Sequence, residues 1–206
     1  MYKQETGKGD KMAKLITVFG DEEIESILRS KLYLPKVDTD GLRNEKPLTE
    51  KQLNAIKDYA VKLGMPHKQI RYSDNTNTMY VDDWDLLIIG TDVLPLPERT
   101  DNPNSNISWR GAVSHEVIGH REAYKTNRGI LTKEDKLNKM EGTIDSKIYK
   151  YKEILDEAQA SIRASKFDSN LSETEQQDLL DDALIRLKKN GINYEDIKEK
   201  LAINER

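Results

Sequence analysis

Along the chain the apolar positions first recur at helical spacing. In D-E-E-I-E-S-I-L-R-S-K-L, Ile24, Ile27, Leu28 and Leu32 fall three or four apart, which predicts an amphipathic helix over 21–32 with acids in its first turn. Thr49 and Gln52 form a capping box for a second helix, whose buried stripe is Leu53, Ile56, Ala60 and Leu63 and which Gly64 and Pro66 end. The period then changes. Short apolar or β-branched runs at 70–72, 78–81 and 86–89, separated by S-D-N-T-N and D-D-W-D, predict two or three antiparallel strands. The stretch 90–108, rich in proline, asparagine and aspartate, reads as a loop.

Helical character returns near Ser108 and is predicted to run to about Lys125, where Asn127 and Gly129 stop it. A long charged stretch without an assigned element follows. Beyond it Ile148, Tyr151, Leu155, Ala158 and Ile162 form a stripe at intervals of three and four, predicting a buried helix face. Ser172 with Glu175 opens another helix through Leu179, Leu180, Ala183, Leu184 and Leu187 to Gly191, and Asn193 caps a short last one. The expected fold is α+β and mostly helical, with helices enclosing a small antiparallel sheet and one helix bearing the chemistry.

Composition narrows the class. A chain of 206 residues holds one substantial core, and 34% charged against 36% hydrophobic residues describes a soluble protein. No apolar stretch approaches the length of a membrane span. The net charge of -4, with lysine and arginine interspersed among acids, gives no nucleic-acid footprint. Without cysteine there are no disulfides, thiolate metal sites or thiol nucleophiles. Residues 1–14 read as a polar linker or arm, and the apolar run 15–19 is too short for a signal peptide. Residues 15–206 then form a single domain, with helices and the small sheet in 15–107 and the metal-site helices in 108–206. Localisation is left open between a resident soluble protein and one secreted or delivered without an N-terminal signal peptide.

The chemistry concentrates in G-A-V-S-H-E-V-I-G-H-R-E-A, residues 111–123. It holds two of the three histidines and differs from the zinc-protease signature H-E-x-x-H by one added residue. On a regular α-helix, positions five apart diverge by about 140°, so His115 and His120 would point away from each other. A π-type turn brings such positions onto one face, and Gly119 lies within the turn that must widen. His115 and His120 are thus candidate metal ligands, with Glu116 directed at a metal-bound water. Catalytic zinc takes a third protein ligand. His67, after Pro66, has a surface or loop position. Glu157, in L-D-E-A-Q-A-S, lies at the edge of a core stripe among small residues and is the preferred candidate, with Glu122 and Glu153 as substitutes.

These two segments resemble the H-E-L-L-G-H and E-E-C-R-A-E pair of the dipeptidyl peptidase III metallopeptidases, a zincin-like family. The resemblance implies His115, His120 and Glu157 as Zn2+ ligands and Glu116 as general base. It covers the two motifs only; Gln159 and Ser161 depart from the second, so no peptide-length specificity carries over. The wider phrase S-W-R-G-A-V-S-H-E-V-I-G-H-R-E-A, with E-A-Q-A-S-I-R-A-S, is similar to C-terminal domains of bacterial polymorphic toxins and secreted effectors. That similarity implies a detached toxin module with an unknown target; an immunity or chaperone protein is the partner expected if the domain serves interaction rather than catalysis.

Arg110, Arg121 and Arg163 are candidates for binding a substrate carboxylate. Tyr72, Tyr80, Tyr124 and Tyr151 are candidate donors to an oxyanion. The run 86–89 is either an edge strand that could hold an extended peptide or an ordinary core strand. The expectation is a zinc-dependent hydrolase, most simply a metallopeptidase acting on a protein or peptide. The alternative is a non-catalytic metal-binding or protein-interaction domain of a secreted toxin system.

Overall fold

Thr39 and residues 41–206 are described by a computed structural model, so the arm 1–14 and the helix expected over 21–32 lie outside the described residues. The first described helix, α1 (Glu50–Lys62), begins at the expected box: Thr49 caps the Gln52 N–H and the Gln52 side chain accepts from the Thr49 N–H. Strands β1 (Ile70–Tyr72), β2 (Met79–Val81) and β3 (Leu86–Ile89) follow. After them come a short helix, α2 (Pro103–Asn106), and the motif helix. The motif helix is built of α3 (Trp109–Ser114), a π-helical segment (His115–Arg121) and α4 (Glu122–Lys125). The remainder is α5 (Lys133–Glu141), α6 (Ser146–Phe167), α7 (Glu173–Lys189) and α8 (Tyr194–Ile197).

The protein is mostly helical, as expected, but the sheet is mixed rather than antiparallel. Its order is β1-β3-β2, with β3 parallel to β1 and antiparallel to β2. The physical reason lies in Leu86–Ile89: all four residues are buried, a continuous apolar run suited to the centre of a sheet. β3 inserts between the other two, so it is a core strand, and the edge beside the motif helix belongs to β2.

Further elements depart from the sequence reading. α2 forms inside the stretch 90–108 expected as a loop, capped by the Asn102 side chain with Pro103 in its first turn. Leu184 of the expected α7 stripe is 44% exposed. α5 has a capping box (Thr132 with Asp135) and ends on Gly142 in the left-handed region at φ 68°. It carries no buried stripe, because Leu137 and Met140 are 53% and 66% exposed, so hydrophobic periodicity could not reveal it. In α6 the stripe is buried at Leu155, Ala158 and Ile162, whereas Ile148 and Tyr151 are 54% and 41% exposed. The first turns of α6 therefore extend past the packed region.

One core cluster joins α1, the sheet and the motif helix through Ile56, Ala60, Leu87, Ile89, Val113 and Val117. Another joins α6, α7 and the C-terminal segment through Leu155, Ala158, Ile162, Ala183, Leu187 and Ile203. The motif helix and α6 face each other where these two clusters meet.

Candidate metal centre

The motif helix starts at Ser108, whose Oγ accepts the Gly111 N–H at 3.1 Å. It stays right-handed throughout: φ,ψ is -64°, -38° at Ser114 and -64°, -39° at Glu122, on either side of the π segment. The segment packs against α6 at its one glycine. A Cβ on Gly119 would lie 2.5 Å from the Ala160 carbonyl oxygen and 2.8 Å from its Cα, so this approach of two backbones requires glycine. The same approach sets the flanking turns of α6 against the two histidines, with Glu157 on one side of Ala160 and Ser161 on the other.

The widened turn brings the imidazoles together. His115 Nε2 and His120 Nε2 stand 3.1 Å apart. The Glu157 carboxylate straddles the pair, with Oε2 at 3.4 Å from His115 Nε2 and Oε1 at 3.5 Å from His120 Nε2. A tetrahedral ion with ligand bonds of about 2.0–2.1 Å would separate its donors by about 3.3–3.4 Å. The spacing of this group fits that figure, and two imidazoles with one carboxylate form a donor set suited to zinc.

Each histidine is fixed by its other nitrogen. His120 Nδ1 lies 3.3 Å from Asp156 Oδ2. Asp156, itself buried, accepts from the Tyr124 hydroxyl at 2.9 Å and from the Ile130 N–H at 2.8 Å. His115 Nδ1 lies 3.0 Å from Ser161 Oγ, which donates to Asp182 Oδ2 at 3.2 Å. Such partners orient metal-binding imidazoles and raise their basicity. A carboxylate oxygen of Glu116 also lies within 4.8 Å of a ring nitrogen of each histidine, and Glu116 Oε2 accepts the Tyr80 N–H of β2 at 2.8 Å.

Burial alone would raise the carboxylate pKa values and lower that of His120; the neighbours decide otherwise for three of the groups. Contacts with His115 and His120 hold Glu157 well below the ordinary carboxylate range. For Asp156 the His120 ring, the Ile130 N–H and the Tyr124 hydroxyl outweigh burial and lower it. Asp156 and Glu157 in turn raise His120 well above its usual value. For Glu116 burial prevails, and its pKa is raised despite the two imidazoles.

The group lies in a cavity of about 650 Å³ lined also by Tyr80, Tyr124, Lys136, Asp182 and Arg186. Of the other residues the sequence singled out, most are engaged elsewhere. Arg121 is buried and binds Asp85 through Nε (2.6 Å) and Nη2 (3.1 Å), and the Gly64 carbonyl through Nη1. Arg110 forms a two-point pair with Glu175 at 3.0 and 3.1 Å and does not line the cavity. Arg163 donates to the carbonyls of Ala202 and Glu205. Tyr124 lines the cavity, but its hydroxyl proton goes to Asp156; Tyr151 lies on the exposed start of α6. Of the substitute ligands, Glu122 pairs with Arg206 and Glu153 with Lys150. His67 is exposed, as expected.

Sequence reasoning missed Asp156, Ser161, Asp182 and Arg186. A signal existed for Asp182, an acid beside Ala183 on a face that otherwise reads as core. No protein-family model, curated protein or solved structure matches the chain, so the site is interpreted on its own geometry.

Proposed function

We propose that the chain is a zinc-dependent hydrolase with a peptide substrate. The observation that carries this reading is the convergence of His115 Nε2, His120 Nε2 and the Glu157 carboxylate at 3.1–3.5 Å, with a Glu116 oxygen within 4.8 Å of both histidines. His115, His120 and Glu157 would hold the ion, while Asp156 and Ser161 keep the rings aimed. Bound zinc would supply Lewis acidity, lowering the pKa of water and polarising a carbonyl. Glu116 acts as general base: the Tyr80 N–H fixes Oε2, and Oε1, which accepts no hydrogen bond among the described residues, takes the proton of the attacking water and returns it to the leaving amine.

The edge strand supports a peptide over other substrates. The Tyr80 N–H points away from β3 toward Glu116, and in an antiparallel ladder the carbonyl of the same residue points the same way. With its N–H committed to Glu116, Tyr80 of β2 thereby offers its carbonyl to an extended chain lying along the cavity. The setting we propose is a delivered toxin or effector module, which the resemblance of the second half supports.

The test is zinc content by elemental analysis, combined with cleavage of a proteome-derived peptide library. Glu116→Gln should keep its zinc and cleave on the order of a hundred- to ten-thousandfold more slowly, the scale of lost general-base catalysis. A parent chain that retains no zinc, or a Glu116→Gln variant that cleaves at the parent rate, would refute the reading.

A further inference from the structure

Hydrolysis of a peptide needs a donor for the negative charge that develops on the attacked carbonyl oxygen. The tyrosines that sequence offered are committed elsewhere. The Tyr80 hydroxyl donates to Asp85 at 3.1 Å and that of Tyr124 to Asp156 at 2.9 Å. Tyr72 accepts the Leu48 N–H outside the cavity, and Tyr151 lies on the surface.

Four cationic side chains line the cavity among the described residues: Arg43, Lys136, Arg186 and Lys189. Arg43 spends its N–H groups on the carbonyls of Asp92, Val93, Asn104 and Ile107. Lys136 bonds Asp82 at 2.8 Å and sits over the Tyr124 ring. Lys189 is the exposed last residue of α7. Arg186 differs from all three. Its Nη2 is anchored at 3.3 Å by Asp182, the same carboxylate that accepts from Ser161 beside His115. Its Nη1 lies 3.8 Å from Glu157 Oε2, too far for a hydrogen bond, and the side chain is 30% exposed. Nη1 of this guanidinium is thus held only by a long ion pair to Glu157, a proposed metal ligand, and makes no hydrogen bond among the described residues.

Resting on the hydrolase reading above, we infer that Arg186 is a catalytic residue whose Nη1 binds the developing oxyanion. As the water oxygen bonds to the carbonyl carbon, the π pair moves onto the carbonyl oxygen, which Nη1 meets, and the water proton goes to Glu116. When the C–N bond breaks, the pair returns to re-form the carbonyl, and Glu116 delivers the proton to the amine. Arginine suits this role because it stays charged and its N–H groups make charge-assisted bonds to oxyanions.

The test uses the cobalt(II)-loaded chain, whose visible spectrum reports the metal environment, and inorganic phosphate as a tetrahedral oxyanion probe. Arg186→Gln should bind cobalt within about threefold of the parent but phosphate roughly ten- to hundredfold more weakly, the scale of one hydrogen bond to a charged group. On any cleaved peptide, kcat should fall with KM nearly unchanged, and Arg186→Lys should recover part of both losses. Equal phosphate affinity in Arg186→Gln and the parent overturns the inference. So does a cobalt-loaded parent with no affinity for phosphate. Cobalt affinity that falls as far as phosphate affinity also overturns it, because Arg186 would then only position Glu157. A parent that takes up no cobalt removes the metal reading and this inference together.

Discussion

Gly119→Ala probes the contact on which the site depends. In an open helix the change would stabilise, since alanine exceeds glycine in helix propensity by about 1 kcal/mol. Here the added Cβ would meet the Ala160 oxygen at 2.5 Å and the Ala160 Cα and Cβ at 2.8 Å each. The oxygen and Cα belong to the backbone of a 22-residue helix and cannot swing aside. Overpacking of this kind costs about 1–3 kcal/mol, and three contacts this close put it near the upper end. Propensity offsets about 1 kcal/mol of that, leaving a net destabilisation of about 2 kcal/mol. For a chain of this size that corresponds to a fall in Tm of roughly 4–8 °C. Relief by separating the helices would also draw Glu157 and Ser161 away from the imidazoles, so metal affinity should fall along with stability. Thermal unfolding followed by circular dichroism, together with zinc titration against a chromophoric chelator, reads both effects. A variant that melts at or above the parent temperature and binds zinc equally well would show that the approach at Ala160 does not hold the site together.

Asp156→Asn should weaken zinc binding by about ten- to hundredfold while leaving its stoichiometry at saturation unchanged, because Asp156 orients His120 without being one of the proposed ligands; unchanged affinity in the same chelator titration would contradict that role. Arg121→Met should destabilise by about 2–3 kcal/mol through loss of the Asp85 clamp, with KM unaltered; a raised KM at unchanged Tm would instead make Arg121 a substrate contact. Burial pushes the Asp168 carboxyl up, but hydrogen bonds from Ser114, Tyr59 and Asn170 outweigh it and hold its folded pKa below the ordinary value. A depressed folded pKa contributes stability above the unfolded value of about 3.9, and that contribution is lost as pH falls through the folded one. Urea unfolding should therefore show Asp168→Asn less stable than the parent at pH 7, with the gap narrowing below about pH 4; a gap of constant size would rule out this linkage.

Much of the site was legible because its elements are local. Five-residue spacing is incompatible with two convergent imidazoles on a regular helix, so His115, Gly119 and His120 together demanded a widened turn, and the π segment 115–121 supplies it. Glu157 was legible as a carboxylate at the edge of an apolar stripe among small residues. For Arg110 and Arg121 the sequence could not choose between a substrate and an internal carboxylate, because whether a cation meets a ligand or an acid of its own chain depends on partners distant in sequence. Glu175 and Asp85 lie far from the motif along the chain, and nothing near either arginine announces them.

Capping boxes and apolar periods follow from interactions within a few residues, and these the sequence by itself determined: the helix starting after Thr49, the motif helix from Ser108, the buried stripe of α6 from Leu155 to Ile162 and the capped start of α7. Tertiary structure alone decided that β3 lies between β1 and β2, that β2 presents its edge to Glu116, that Asp156 and Ser161 hold the rings, and that Arg186 sits between Asp182 and Glu157. Strand order and side-chain pairing are settled by competition among distant segments for the same buried space and the same charges, and that competition exists only once the chain has packed.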